Sequence, residues 1–556
     1  MQHRTKTIQK VTLSPAPLSR YYEYSKFDRF IICLLGSLDY IKLSVPRKTH
    51  FSLGCRVMES NKFTGTFYQI FIPSFCDSNG DGIGDLRGIM EKLDYLVNLG
   101  IEGIWLSPLH PSESYHKYDV DDYYAVAPEY GTMADFEALI LEAHERGIKI
   151  LMDLVLNCPS SGHPFFRKAL EDQGSEEASW FWFRDSDSTK NFKDDLIWNG
   201  MPSWRTAPNG RQYIGIYASV MPDFNFDSQS LREEMKKVAR FWLRKGVDGF
   251  RLDSAMHLYS SSEVEEGVSY HAKNIAWWQE FRDACRKENP GCYLVGEVWT
   301  DSETRAPYYK GLDSSFHFYL GSDIAALITG TLSVSSLENR LASADLCAAL
   351  AAPGYTDSPF LSNHDMLRYA EDTGFSEKLL KLSAAIYLTL PGTPFVYYGE
   401  ELGLKPEPGD CCVGFPANDL FIRSRSAFPW PEKRPTLIRF EKDYLSSPLE
   451  EQENDPDSLL SFYKALIQMR RDYSSLRNGK WKSVSPNDNL LAYERENEQE
   501  KTLIVHNISE EDQALALPAG HGPVIYLMRR KEPANDSVFD SVMLPARESI
   551  LVYLEK

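Results

Sequence analysis

From Tyr68 onward, short apolar runs alternate with amphipathic stretches. YQIFIP (68–73) precedes a helical pattern near 85–99, GIWLSP (103–108) precedes another near 133–147, and KILMDLVLN follows at 149–157. Short apolar runs separated by segments of period 3.6 predict parallel strands joined by helices. The alternation continues through VDGFRLD, CYLVGEVW, SSFHFY, SPFLSNHD and TPFVYYGEE. That makes about eight strands, the number that closes a (β/α)8 barrel.

Two stretches break the rhythm. About 90 residues separate KILMDLVLN from GVDGFRLD, far more than an ordinary βα loop, and they contain WFWF, IWNGMPSW and RQYIGIY. They predict a lobe inserted after the third strand, followed by a barrel helix at 230–245. Beyond about residue 477, the runs LLAYERE, KTLIVHNI, PVIYLM and SILVYLE alternate as strands of an antiparallel β-sandwich do. The expected fold is therefore an α/β TIM barrel with an inserted lobe and a C-terminal sandwich. Its expected segments are a poorly ordered N-terminal extension (1–57), barrel (58–157), lobe (158–226), barrel (227–476) and sandwich (477–556).

Composition narrows the function. A net charge of −19 argues against nucleic acid or an anionic membrane as partner, since both demand a basic face. The nine cysteines are scattered, apart from adjacent Cys411 and Cys412, and form no CxxC pair, which reads as reduced thiols in a cytosol. The first 57 residues are basic and hold the apolar run FIICLLGSL (30–38), which is too short to span a bilayer and lacks a nearby small-residue cleavage site. Cytoplasmic location is the expectation. The alternative is export, should that run act as a signal.

Candidate chemistry sits where strands end. In such barrels the C-terminal ends of the strands build the site. Asp253 ends GFRLD, Glu297 ends LVGE and Asp365 ends FLSNHD. In GVDGFRLDS, Arg251 and Asp253 project together by the two-residue strand period, so the guanidinium is expected to keep that carboxylate ionised. Glu297, less compensated, is expected to hold a proton. Two carboxyls about 5–5.5 Å apart are the arrangement of a retaining glycosidase, one as nucleophile and the other as general acid and then base.

Taken in order, these segments resemble the α-amylase family of retaining glycosidases over residues 65–556. GFRLDSAMH is similar to the family's nucleophile segment, VGEVW to its acid/base segment, and FLSNHD to the segment of the third, transition-state-stabilising aspartate. MPDFN (221–225) resembles the short motif closing the inserted lobe, and its leading Met is similar to members between oligo-glucosidases and neopullulanases. SYHKYDVDDYY (114–124) resembles the second-loop segment, where the resemblance implies that Tyr118 stacks on the sugar and Asp119 binds its 4-hydroxyl. Arg425, five before Trp430, resembles the arginine that pairs with that aspartate. The resemblance further implies that His364 donates to a sugar hydroxyl and that His257 lies on the leaving-group side.

DSNGDGIGD (77–85) begins like an EF-hand loop but has Gly88 where the bidentate glutamate would stand. As in similar family members, Asp77, Asn79, Asp81, Asp85 and the Ile83 carbonyl are expected to hold a structural Ca2+. Trp198, Trp204 and Tyr213 are either sugar platforms or, the favoured reading, the lobe's own core.

Two departures from the family pattern stand out. Cys158 occupies the place of the histidine that ends the third strand and contacts the sugar's 6-hydroxyl, and Met256 replaces a common lysine. The expected activity is hydrolysis of α-1,4-linked maltodextrins by double displacement. Transglycosylation or an α-glucosidase activity would use the same carboxylates, and endo or exo action turns on how far the lobe closes the pocket. A non-catalytic relative, a carbohydrate-binding or scaffold subunit, is the alternative from another class, against which stand the three retained carboxylates.

Overall fold

A computed structural model describes residues 63–184, 197–198, 201–260, 263–264, 267–374, 376–405, 420–435, 448–528 and 540–554. The basic N-terminal extension, Cys411, Cys412 and the Trp198 side chain lie outside the described residues.

Eight parallel strands form one sheet: β1 (Phe67–Ile70), β2 (Gly103–Leu106), β3 (Lys149–Leu154), β4 (Gly249–Leu252), β5 (Tyr293–Gly296), β6 (Ser314–Phe316), β7 (Thr356–Ser358) and β8 (Phe395–Tyr397). The order runs β7-β6-β5-β4-β3-β2-β1-β8. Two backbone hydrogen bonds, Thr393 N to the Asp357 carbonyl (2.8 Å) and Phe395 N to the Pro359 carbonyl (3.0 Å), join the edges and close the ring. Both faces of each strand are covered, which is why the runs are apolar without alternation. Gly249 opens β4 where β5 passes close: a Cβ there would lie 1.9 Å from the Tyr293 carbonyl oxygen.

The barrel interior changes character along the strands. Phe67, Trp105, Leu151, Tyr293, Phe316, Phe360 and Phe395 pack as one buried, ring-rich cluster. Each such side chain, fully buried, contributes about 1.5–3 kcal/mol. Two residues further along β1 and β3, on the same side of the strand, stand Gln69 and Asp153, both buried. The polar site begins there.

Asp253 and Glu297 directly follow β4 and β5, as the runs imply. Asp365 does not end a strand: β7 stops at Ser358 and the aspartate lies seven residues on, in the loop. Pro359 lacks the N–H that would extend the ladder.

After β3 comes the inserted lobe, with a helix (Pro164–Glu171), a three-stranded sheet (Phe183–Arg184, Gln212–Ile214, Trp204–Thr206) and a two-stranded one (Ile197–Trp198, Met201–Pro202). Trp204 packs against the cluster of Trp182, Ile214 and Ile216. Tyr213, 4% exposed, packs edge-on to Phe166. Both serve the lobe's core, and helix Gln229–Arg244 returns the chain to the barrel. The C-terminal part holds β9 (Lys480–Ser483), β10 (Leu490–Glu496), β11 (Lys501–Asn507), β12 (Gln513–Ala516), β13 (His521–Tyr526), β14 (Ser541–Leu544) and β15 (Ser549–Leu554). They make an antiparallel sheet β9-β10-β11-β15-β13 and a pair β12-β14.

Candidate active site

Arg251 is fully buried and grips three carboxylates. Parallel register sets Asp153 of β3 beside Arg251 of β4, and Nη1 donates to both Asp153 oxygens (3.0 and 3.1 Å) and to Asp253 Oδ1 (2.6 Å). From the other side of the guanidinium, Nη2 donates to Glu297 Oε2 at 2.7 Å. Burial works against the charge of Arg251, but Asp153 and Glu297 outweigh it and hold its pKa above the ordinary arginine value. Asp153 is pushed up to about 6 by burial, against the pull of Arg251. Burial also raises Asp253, helped by the charges of Glu297 and Asp153 and opposed by Arg251.

This corrects the expectation that Arg251 serves Asp253 while leaving Glu297 less compensated. One cation is divided among three acids. Three carboxyls around a single positive charge carry surplus negative charge that proton uptake relieves, so a protonated carboxyl beside an anionic one is favoured there.

The turn after β4 tightens the pair. Ser254 has φ +46°, a left-handed conformation costly for a non-glycine residue. It turns its N–H onto Glu297 Oε2 (2.9 Å) and its hydroxyl onto Asp253 Oδ2 (3.0 Å), while Tyr217 Oη donates to that hydroxyl at 2.8 Å.

A second cluster faces the first. Asp365 Oδ1 accepts from Arg425 Nη2 (2.8 Å) and its Oδ2 lies 3.1 Å from His364 Nε2. Burial alone would raise Asp365, but His364, Arg425 and Arg251 together hold it below the ordinary carboxylate range. Tyr118 joins the clusters: its Oη donates to Asp153 Oδ2 (3.0 Å) and lies 2.5 Å from His364 Nε2. Its ring is parallel to the imidazole at 5.6 Å.

A sequence profile described as "Alpha amylase, catalytic domain" matches residues 69–479, and one described as "Alpha-amylase SusG C-terminal domain" matches 490–551. The chain belongs to the α-amylase family. It is 39% identical over 451 residues to Alpha-amylase 3 of Dictyoglomus thermophilum, covering 80% of this chain and 84% of that one. A 4-alpha-glucanotransferase of Thermotoga maritima is 30% identical over 80% of this chain and 96% of its own. The crystal structure of an alpha-amylase from H. orenii superposes with a TM-score of 0.76 at 35% identity, covering 88% of this chain and 99% of that one. The protein is an enzyme of this family, of its hydrolase and transferase group.

Within this family member, some residues named by resemblance lie elsewhere than expected. Arg425 bonds Asp365 and the Tyr115 hydroxyl (2.5 Å), not Asp119. Asp119, 4% exposed, turns into its own loop and accepts from the hydroxyls of Ser112 and Ser114. Hydroxyl donors seven and five residues earlier satisfy it within its own loop, which leaves the arginine to Asp365. His257 packs edge-on to Tyr217 and is pushed down to about 4 by burial, so it is neutral at pH 7. Cys158, 1% exposed, has a thiol raised by burial and by the charges of Asp223 and Asp253, which leaves it protonated beside the cluster.

In the 77–85 loop, Asp77 accepts from the N–H groups of Asn79, Gly80 and Gly82, and Asp85 caps helix Leu86–Glu91 through Gly88 N. Among the described residues no group of three or more His, Cys, Asp or Glu side chains is arranged to hold a metal. Gly88 cannot carry a ligand, because a Cβ there would lie 2.0 Å from the Cys76 carbonyl oxygen.

Asp153, Ser254, Tyr115 and Gln69 were not singled out from the sequence. Asp153 left a signal, an acid inside the apolar run KILMDL. The others depend on contacts across 43 to 310 positions: Ser254 with Glu297, 43 apart, Gln69 with His364, 295 apart, and Tyr115 with Arg425, 310 apart.

Proposed function

We propose that this enzyme cleaves α-1,4-glucosidic bonds of maltodextrins with retention, by double displacement. The carrying observation is that the two terminal nitrogens of one planar guanidinium hold Asp253 and Glu297. Carboxyls gripped in this way lie close together, which favours the retaining spacing of about 5–5.5 Å over the wider gap of about 6.5–9.5 Å that houses a water in inverting enzymes.

In this reading Glu297 keeps its Oε2 against Arg251 and the Ser254 N–H, and presents Oε1, protonated, to the leaving oxygen. Asp253, steadied by Arg251 and the Ser254 hydroxyl, attacks the anomeric carbon. The leaving group takes the proton, and Glu297, now an anion, draws a proton from the incoming water as it attacks the glycosyl ester. Asp365, held ionised, binds the sugar and opposes charge at the ring as it becomes cationic. Tyr118 presents a ring to the sugar, and His364 steadies Tyr118 and Asp365.

The Thermotoga relative named a glucanotransferase supports transfer to a sugar acceptor as the competing outcome. Incubation with maltoheptaose and with maltose, followed by chromatography and anomer-resolved NMR, tests both. Shorter products released first as the α anomer support hydrolysis with retention. Products longer than the substrate identify transfer, and β-anomer release overturns the double displacement.

We further propose that loop 77–85 binds Ca2+ through Asp77, Asn79, Asp81, Asp85 and the Ile83 carbonyl. The support is a donor set made wholly of oxygen, as a hard cation requires, with lone pairs beyond those the loop N–H groups use. Chelation should lower the melting temperature by about 2–4 °C, since an ion bound only to the native state adds RT ln(1 + [L]/Kd). An unchanged melting curve, with no metal found by elemental analysis, would overturn this.

A further inference from the structure

Gln69, on β1, is 2% exposed and places its Nε2 2.6 Å from His364 Nδ1. The imidazole is fully buried. Its other nitrogen, Nε2, stands 2.5 Å from the Tyr118 hydroxyl and 3.1 Å from Asp365 Oδ2. An ionised carboxylate only accepts, so Nε2 must carry a hydrogen. Burial pushes His364 down to about 3, so the ring is neutral and carries one hydrogen only. Nδ1 is then a bare acceptor in a dry site, where an unmet hydrogen bond is costly. The group beside it has to be a donor, and the amide of Gln69 is one.

We propose that Gln69 is a positioning residue: by donating to Nδ1 it locks His364 as the Nε2–H tautomer, and thereby sets the direction of a chain of hydrogen bonds running Gln69 to His364 to Tyr118 to Asp153. With Nε2–H pointing at Tyr118 and the Asp365 carboxylate alongside, the tyrosine hydroxyl is free to donate onward to Asp153 Oδ2, as it does at 3.0 Å. That bond completes the ring of donors around Asp153, together with Arg251 and the Trp105 indole (3.1 Å). If the tautomer reverses, Tyr118 has to donate back to the histidine. Asp153 then loses a donor, and Asp365 faces a bare nitrogen.

The inference rests on the proposed function for its kinetic part alone. Gln69→Glu places an acceptor against Nδ1 and demands a hydrogen there. Gln69→Met removes the donor with little change in shape. In the full-length chain, kcat on maltoheptaose should fall about 10- to 100-fold for Gln69→Glu and about 5- to 20-fold for Gln69→Met, with KM within about threefold in both.

The decisive readout is the two-bond 1H–15N spectrum of histidine-labelled protein, with the His364 signals assigned by their loss in His364→Asn. Wild type should show a bare Nδ1 and a protonated Nε2, and Gln69→Glu should show hydrogen on Nδ1. A wild-type spectrum with hydrogen on Nδ1 overturns the proposal. So does a kcat within twofold of wild type in both variants, or a loss of kcat in Gln69→Glu without any change of tautomer. Should Gln69→Glu not fold, Gln69→Met and the wild-type spectrum decide. Should wild type cleave no α-glucan, the functional reading fails, and the tautomers of wild type and Gln69→Glu alone decide for or against Gln69.

Discussion

Two groups of carboxylates stand on or just beyond barrel strands, and they are held in opposite ways. Asp153, Asp253 and Glu297 share Arg251. Glu400 and Glu401, just beyond β8, are held by phenols: Tyr387 and Tyr463 donate to Glu400 Oε1 at 3.0 Å each, and Tyr68 and Tyr95 to Glu401 Oε1 at 2.7 and 2.8 Å. Arginine cannot give up its proton, so the first group keeps at least one anion opposite it while the surplus acid is driven to bind a proton. The second group is free to relax to neutrality, and burial pushes Glu400 up to about 8. A carboxylate at the end of a barrel strand is therefore not chemical in itself. The cation opposite it, and a view of the cleft, make it so: the Asp253 and Glu297 side chains keep 13% and 15% exposure, whereas Glu401 has none.

The widest break between the two groups should come from Asp253→Asn. An amide cannot form the glycosyl ester, and kcat should drop about 10³-fold or more, the scale of losing a member of a catalytic unit, with the melting curve near that of wild type. Wild-type turnover in this variant would remove Asp253 as nucleophile. Glu297→Gln should match that loss on maltodextrins but show a burst with an activated glycosyl fluoride, whose departure needs no proton. An equal loss on every substrate would count against the acid role.

A smaller change is expected at Cys158, beside the charged group. If position 158 faces the sugar's 6-hydroxyl, as the resemblance implies, a histidine there would donate to it, and with a neutral hydrogen bond contributing about 0.5–1.5 kcal/mol, Cys158→His should raise kcat/KM about three- to tenfold. On a 6-deoxy maltooligosaccharide the gain should vanish. A loss on the ordinary substrate would mean that the pocket is built around sulfur and cannot hold an imidazole.

The least effect on activity is expected in the tyrosine-held group. Glu400→Gln keeps an acceptor for Tyr387 and Tyr463, and turnover should stay within about twofold at pH 7. Stability should respond instead. The carboxyl titrates near 4.3 when unfolded and near 8 when folded, so its contribution is full below the lower value and is lost as pH rises through the higher. Wild type should therefore lose melting temperature between pH 5 and 9, and Glu400→Gln should lose less. Parallel pH profiles for the two proteins would show that Glu400 does not titrate in this range.

Much of the architecture was readable along the chain. Eight apolar runs spaced by helical patterns, the long insertion after KILMDLVLN and the late alternating strands depend on neighbours within a few positions, and the period of the backbone writes them into the order of residues. The acids after β4 and β5 belong to the same class, because the strand before each is itself a local pattern. The motif around Asp365 was visible, although its place in a loop was not, since the strand stops at Ser358, before Pro359, and the apolar run does not.

The partners of these residues came only with folding. Arg251 meets Asp153 across 98 positions because β3 and β4 lie in one parallel register. Arg425 meets Asp365 across 60, while Asp119 is met by serines of its own loop. A side chain's type and its neighbours in sequence say what bonds it is able to make. Which bond forms, and therefore which acid keeps its proton, depends on which groups the closed barrel brings within 3 Å and how much water it leaves between them.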